Sequence, residues 1–280
     1  MIDPPASATT SGRARRGRPG LSFVACAAVG CLGGLIGLGG AEFRLPLLVA
    51  LFAYATREAI GLNVALSLVT VVFSLVFRLA AGGEGALWQY ATAIVTLAAG
   101  TIAGAFTGVA IGRMLSAAAL SWVVAALLVL LAVVMASHAA DPQHGLRPSL
   151  PPAAQATAAL AAGVAIGIVA SLLGVAGGEL LIPTLVLLYA VDTKVAGTLS
   201  LAISLPTLLV SLARWRHARG DWSLWRANGG LLACMGAGSI AGAAGGARLL
   251  GSIDARALSL MLAALLAYSA LHLAWQAHRA

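Results

Sequence analysis

Apolar stretches of about 20 residues recur along most of the chain, separated by short polar or glycine-rich segments. A helix needs about 17–25 predominantly apolar residues to cross the hydrocarbon core of a bilayer, whereas a membrane β-barrel shows short alternating segments. The pattern therefore predicts an all-α polytopic membrane protein with about eight transmembrane helices. The apolar segments cover residues 21–53, 59–79, 88–112, 117–137, 154–190, 195–213, 225–250 and 256–276.

A polar, proline-containing segment divides the chain almost in half. We expect a disordered, arginine-rich cytoplasmic tail over 1–20 and a first transmembrane repeat over 21–137. A polar linker over 138–153 and a second transmembrane repeat over 154–280 follow. Each repeat carries four of the apolar segments.

The two halves resemble each other at an offset of 137 residues. The segment 37–46 aligns with 174–183, so that Glu42 meets Glu179, and Ser67 meets Ser204 further along. Chance similarity between apolar segments would not place Gly, Glu, Pro and Ser in one register. Internal repeats are typical of transporters whose site lies between the two halves.

The first apolar segment of each half is longer than one span and contains a glycine cluster followed by a proline. If the helix is broken but still crosses the membrane, each half has four spans and both halves face the same way. If the break is a re-entrant hairpin, the count becomes odd and the repeats are inverted. The loop arginines are consistent with the first arrangement with a cytoplasmic N-terminus, but the sequence leaves both open.

The glycine–glutamate–proline motif points to anion binding. Gly frees the backbone and Pro removes a donor, which is costly at membrane depth unless the freed groups face a cavity or ligand. A helix resuming near Pro46 or Pro183 would direct free N–H groups and its positive dipole end at that cavity, and such ends bind anions.

Three charged residues lie in or beside this motif. Glu42 and Glu179 are candidates for proton coupling, because burial disfavours a charged carboxylate; the alternatives are capping of the half-helix or exposure at an interface. Arg44 has Leu181 at the equivalent position. It pairs with Glu42, contacts the anion or extends to the interface.

Polar residues on the second helix of each half either line a pore or form interhelical hydrogen bonds. Together with the motif they form the predicted substrate-binding set. That set comprises Gly37, Gly39, Gly40, Glu42, Pro46, Asn63, Ser67, Gly174, Gly177, Gly178, Glu179, Pro183, Thr198, Ser200 and Ser204.

Composition narrows the function further. With 60% apolar and 9% charged residues, the chain does not fit a soluble enzyme. The net charge of +8 comes largely from arginine clusters beside apolar helices, which indicates topology rather than nucleic-acid binding. The sequence shows no phosphate loop, nucleophile constellation or metal-ligand spacing, so we expect no enzyme activity, cofactor or metal. The oligomeric state stays open.

The repeated motif resembles the signature of the TauE/SafE family of membrane permeases, the sulfite exporters, over about residues 21–276. The matching positions are Gly37, Gly39, Gly40, Pro46 and Leu48, then Gly174, Gly177, Gly178, Pro183 and Leu185. Ala41 and Ala176 depart from the glycines of the typical motif, so the two motifs need not be equivalent.

The resemblance implies transport of a small anion such as sulfite or an organosulfonate. We therefore expect a secondary carrier in a bacterial inner membrane that alternates access between its two repeats. The alternatives are a permease for an organic carboxylate or a metal cation, and a membrane assembly partner that transports nothing.

Overall fold

The computed structural model describes residues 19–52, 54, 56–111, 117–140, 151–173, 175–219, 226 and 228–279. These residues form helices and connecting turns with no strand among them, so the prediction of an all-α polytopic membrane protein is confirmed. The predicted tail up to residue 18, Gly174 and the linker residues 141–150 lie outside the described residues.

The described residues of the first half form six helices. They are α1 (Pro19–Leu32, continued by a wider π-helical turn, Gly33–Gly37), α2 (Ala41–Pro46, continued likewise by Leu47–Leu51), α3 (Thr56–Arg78), α4 (Glu84–Gln89), α5 (Ala91–Ile111) and α6 (Ala117–Ala140). The second half contributes α7 (Pro152–Leu173), α8 (Gly178–Tyr189), α9 (Thr193–Arg219), α10 (Gly229–Leu249) and α11 (Ala255–Arg279).

Helix boundaries follow the sequence repeat. Helices α2 and α3 start 137 residues before α8 and α9, and α5 and α6 start 138 residues before α10 and α11. The one-residue change of offset is the same step that the sequence alignment shows in this region. The duplication is therefore one of structure as well as sequence.

Seven helices among the described residues are long and apolar enough to cross a membrane. Helix α6 is 24 residues long, and its described apolar stretch, Val124–Ser137, is shorter than those seven. At 1.5 Å per residue, the 12-residue helix α8 is only about 18 Å long. It is a half-helix, and α2 is its counterpart.

The glycine break turns the chain back on itself. A Cβ built on Gly40 would lie 2.5 Å from a Val29 side-chain carbon, so the start of α2 lies beside the middle of α1. In the second half, Gln155 Nε2 near the start of α7 donates to the Leu188 carbonyl near the end of α8, at 2.6 Å. Each half-helix therefore runs antiparallel to the helix before it.

Because each break is a hairpin, the repeats are inverted. Arg78, the last residue of α3, donates to the carbonyl of Lys194, the second residue of α9, at 3.0 Å. The equivalent helices α3 and α9 therefore run in opposite directions. The same-orientation arrangement is wrong, and the hairpin alternative is right: a glycine–proline break marks where a helix ends and not which way the chain leaves.

Small residues allow the two halves to pack closely. On α10, Gly242 faces the backbone of α1 at Ala27 and Cys31; on α5, Gly104 faces the backbone of α7 at Val164. A Cβ at Gly104 would lie 2.1 Å from the Val164 carbonyl oxygen. The glycines at every fourth residue of α5 and α10 are thus packing positions between the repeats.

Candidate functional site

The two breaks lie against each other between the inverted halves. A Cβ built on Gly39 would lie 2.9 Å from the Ala176 Cβ, and one built on Gly178 would lie 3.4 Å from the Leu38 Cα. All four residues are buried. The motifs that the sequence aligned are therefore brought together in space, and both half-helices start beside this contact.

The half-helices start earlier than the sequence predicts. They begin at Ala41 and Gly178 rather than near the prolines. The reason is the glycine before each helix: Gly40 (φ 67°) and Gly177 (φ 74°) adopt the left-handed conformation that reverses the chain. Pro46 and Pro183 are the sixth residues of their helices, where each removes one backbone hydrogen bond.

Polar side chains of α3 and α9 satisfy carbonyls of the broken backbone. Asn63 Nδ2 donates to the Ala41 carbonyl at 3.0 Å. Ser200 donates to the Gly37 carbonyl at 3.3 Å, and Ser204 donates to the Ala176 carbonyl at 3.2 Å. Irregular backbone at membrane depth needs such partners. These residues support the site, and their direct contact with a substrate stays a prediction.

The two motif glutamates occupy the second position of α2 and α8 and lie near enough to repel each other electrostatically. The Glu42 carboxylate oxygens are buried and make no hydrogen bond with the described residues. Glu179 is 6% exposed, and its Oε1 accepts a hydrogen bond from Ser269 at 3.1 Å. The two carboxyl groups therefore differ in their hydrogen bonding. The residue before each half-helix, Gly40 or Gly177, provides no side-chain cap.

Arg44 carries a positive charge into the interior, with 0% of its surface exposed. Its guanidinium donates to Ser67 at 3.2 Å, Thr70 at 2.8 Å and Ser239 at 3.4 Å, while Nε has no partner among the described residues. The alternative that it extends to the interface is wrong. Placing Arg at the centre of a membrane helix costs roughly 2.5–3.5 kcal/mol, and neutral hydroxyl groups offset that cost only in part.

A second buried arginine, Arg78, ties the two repeats together. Its Nε and Nη2 donate to the carbonyls of Gly34 and Leu35 at 2.9 and 2.8 Å, at the end of α1. Its Nη1 donates to Lys194 and Thr198 at 3.0 Å each, at the start of α9. The guanidinium thus replaces helix partners that the end of α1 lacks.

Sequence reasoning missed Arg78, Ser239 and Ser269. Arg78 stands near the end of an apolar segment, where arginine usually anchors a helix at the membrane surface. Ser239 and Ser269 stand alone in apolar helices, where a serine is as often a packing residue as a site residue. The signal that could have identified these residues is that each faces the opposite half of the protein. That signal can be used only when the inverted arrangement of the halves is already known.

Of the remaining predicted site residues, Gly37 contacts Gly197 of α9 through the backbone, with a built Cβ only 2.4 Å from the Gly197 Cα. Ser67 and Thr198 serve as acceptors for the two buried arginines. Among the described residues no group of three His, Cys, Asp or Glu side chains is placed to hold a metal ion.

Comparison with known proteins gives one match. A sequence model of a protein family described as Sulfite exporter TauE/SafE matches residues 15–278. Searches of curated proteins and of solved structures find no match.

Proposed function

We propose that this chain carries a small anion across the membrane by alternating access, from the premise that it belongs to the TauE/SafE sulfite exporter family. Membership makes the protein a membrane transporter, and its apolar helices place it in a bilayer as a multi-pass protein. The substrate, the mechanism and the site residues are our proposals.

The observation that carries the proposal is the contact between the two breaks, at Gly39 and Ala176, between inverted repeats. Inverted repeats with discontinuous helices at their interface are a recurring architecture of secondary transporters, in which one repeat moves against the other around a central site. The described residues of the predicted substrate-binding set come from the two breaks and the helices that hold them, and this supports the proposal.

The substrate we propose is a sulfur oxyanion or an organosulfonate. The N-termini of α2 and α8 start beside the contact, and helix N-termini favour anions. The buried charge of Arg44 adds a cation to the same region. Glu42 and Glu179 are the candidates for coupling transport to protons, because no other carboxyl group of the described residues lies in a half-helix.

We further propose a bacterial inner membrane with a cytoplasmic N-terminus. In the inverted arrangement, most arginines of the connecting segments and termini belong to the face where α1 begins, as the positive-inside rule requires. Among the described residues these are Arg57, Arg214, Arg216, Arg219, Arg226 and Arg279, against Lys194, Arg248 and Arg256 on the other face.

The first test is flux into proteoliposomes. Sulfite, sulfoacetate and acetate uptake are measured with and without an imposed proton gradient. We expect uptake of the sulfur anions to exceed that of acetate by at least about tenfold. Equal uptake of acetate would move the substrate class to carboxylates, uptake of a metal ion alone would overturn the anion proposal, and no flux of any solute would favour an assembly partner.

A second test asks whether the contact between the breaks is the moving part. Gly39→Ala places a methyl group against Ala176, and we expect sulfur-anion flux to fall at least about tenfold. Gly39→Ala combined with Ala176→Gly removes the opposing methyl group and should restore most of the flux.

Gly236→Ala is the matched control, since a Cβ at Gly236 meets no atom within 4 Å. Its flux should equal that of the wild type. Unchanged flux in Gly39→Ala, or a double variant as inactive as the single one, contradicts a mechanism centred on this contact.

A further inference from the structure

We infer that Arg44, Ser67, Thr70 and Ser239 bind the anionic group of the substrate, and that Glu42 takes up one proton when that group binds. This inference rests on the proposed function and adds to it a defined half-site and a coupling stoichiometry. It uses residues from three elements, α2, α3 and α10.

The arrangement around Arg44 resembles an oxyanion site in which hydroxyl groups occupy the oxyanion's place. Three neutral oxygen atoms lie 2.8–3.4 Å from the guanidinium nitrogens. Oxyanion oxygens accept stronger hydrogen bonds from a guanidinium than hydroxyl oxygens do. An entering anion therefore displaces weaker acceptors, and the unpartnered Nε provides one further donor.

The hydroxyl groups can also donate hydrogen bonds to a bound anion. A serine or threonine hydroxyl has one proton to donate and two lone pairs to accept with. In this structure, the Ser67 and Ser239 hydroxyl oxygens each accept one hydrogen bond from Arg44. Once the anion accepts the hydrogen bonds of the guanidinium, the same hydroxyl groups can rotate and donate to the oxygen atoms of the anion.

Charge balance identifies the proton site. The ionisable groups that face Arg44 are Glu42 on its own helix and Cys26 on α1, and Glu42 faces Arg44 and Glu179. Without substrate, the Glu42 carboxylate balances the Arg44 cation. A bound anion would leave one excess negative charge in a buried site.

A proton on Glu42 removes that excess. In the balanced step, Glu179 carries its proton before and after substrate binding. One monovalent anion from solution binds Arg44 and one proton from solution bonds to a Glu42 carboxylate oxygen, so the net charge of Arg44, Glu42, Glu179 and the anion stays zero. Glu42 rather than Glu179 takes this role because no other residue in the described part of the chain donates a hydrogen bond to its oxygens, whereas Ser269 donates to Glu179. Leu181 stands where the second half would need an arginine, so there is one such half-site per chain.

Methanesulfonate is the probe, because it stays ionised throughout the neutral and mildly acidic range. Its uptake is measured in proteoliposomes as accumulation driven by a pH gradient and as exchange against internal methanesulfonate at equal pH. For Glu42→Gln we expect exchange to remain within about threefold of the wild type and gradient-driven accumulation to fall at least about tenfold. Glu84→Gln, the matched control at an exposed carboxyl group at the start of α4, should keep both.

Arg44→Leu tests the binding half and introduces the residue found at position 181. We expect the KM for exchange to rise at least about tenfold, with Arg44→Lys intermediate. Ser239→Ala, which removes one hydroxyl group and keeps the charge, should raise KM at least about threefold even if Arg44→Leu fails to fold. Arg248→Gln, an exposed arginine, should leave KM unchanged.

The two halves of the inference fail separately. Accumulation by Glu42→Gln at the wild-type level would show that Glu42 does not take the proton. Wild-type KM values in Ser239→Ala and Arg44→Lys would show that the anion binds elsewhere. If the wild-type protein carries sulfur anions and either of these results is found, only this inference is contradicted. If the wild-type protein carries no anion, the proposed function is contradicted as well.

Discussion

Neutral polar side chains stabilise the irregular backbone of the two breaks inside the membrane by donating hydrogen bonds to it. Asn63, Ser200 and Ser204 each donate to a carbonyl of the two breaks. A carbonyl without a partner in an apolar interior costs about 1–3 kcal/mol. Hydroxyl and amide groups meet this need without adding a charge that would compete with the substrate.

The serine at position 204 offers a direct test of this role. Ser204→Ala leaves the Ala176 carbonyl without its donor, and we expect the free energy of unfolding to fall by about 1 kcal/mol. Thermal unfolding in detergent measures the change. Ser211→Ala is the control on the same helix, because Ser211 donates to the carbonyl of Thr207 within the helix; an equal loss in both variants would contradict the specific role of Ser204.

Single residues were predictable where their type is unusual for the position. Glu42 and Glu179 stood out as carboxyl groups in apolar segments, and the structure brings them into one region. The partners of Arg44 did not follow from the sequence, because Ser239 is 195 residues away. Which residues meet across such a separation depends on the packing of whole helices.

At the scale of elements, the hairpin between α1 and α2 is set by three residues. Leu38 is extended (φ −98°, ψ 155°), and Gly37 and Gly40 have positive φ angles of 98° and 67°. The sequence predicted an interruption here because Gly and Pro disfavour a helix. It could not give the direction of the chain, which is determined by the backbone angles of these few residues.

Arg78 holds the end of α1 against α9, and its removal should loosen that end. Arg78→Gln loses at least two of the four hydrogen bonds, and bonds to charged groups contribute about 1.5–3 kcal/mol each. We expect amide hydrogens in the segment Gly33–Leu38 to exchange at least about tenfold faster, as measured by mass spectrometry. In Arg248→Gln this segment should exchange at the wild-type rate; unchanged exchange in Arg78→Gln would show that glycine packing alone holds the end of α1.

For the whole molecule, inversion of the repeats has a consequence that reporter fusions can measure. Helix α10 packs in parallel with α1, and α11 returns through the short turn after Leu249. Both termini therefore lie on one face, and the end of α6 lies on the other. A fluorescent reporter active only in the cytoplasm should report at both termini and not after Ala140, while fluorescence at all three positions would indicate the same-orientation arrangement.

The sequence predicted the duplication, the helix content and the place of the breaks, because each depends on local composition and register. It did not decide between parallel and inverted halves. That choice depends on whether an odd or an even number of segments crosses the membrane. The length of an 11-residue stretch such as 41–51 does not show whether the stretch completes a crossing or turns back.

Under the proposed mechanism, the arginine at position 44 should make the two directions of transport kinetically unequal. In a carrier with identical inverted halves, the inward-facing and outward-facing states would be related by a two-fold rotation about an axis in the membrane plane and would have the same affinity. Here Arg44 belongs to one half and Leu181 to the other. The substrate concentration for half-saturation should therefore differ between the two sides of the membrane. The protein should then act as a rectifier, with a transport rate that depends on the side of loading, while the gradients alone set the final equilibrium.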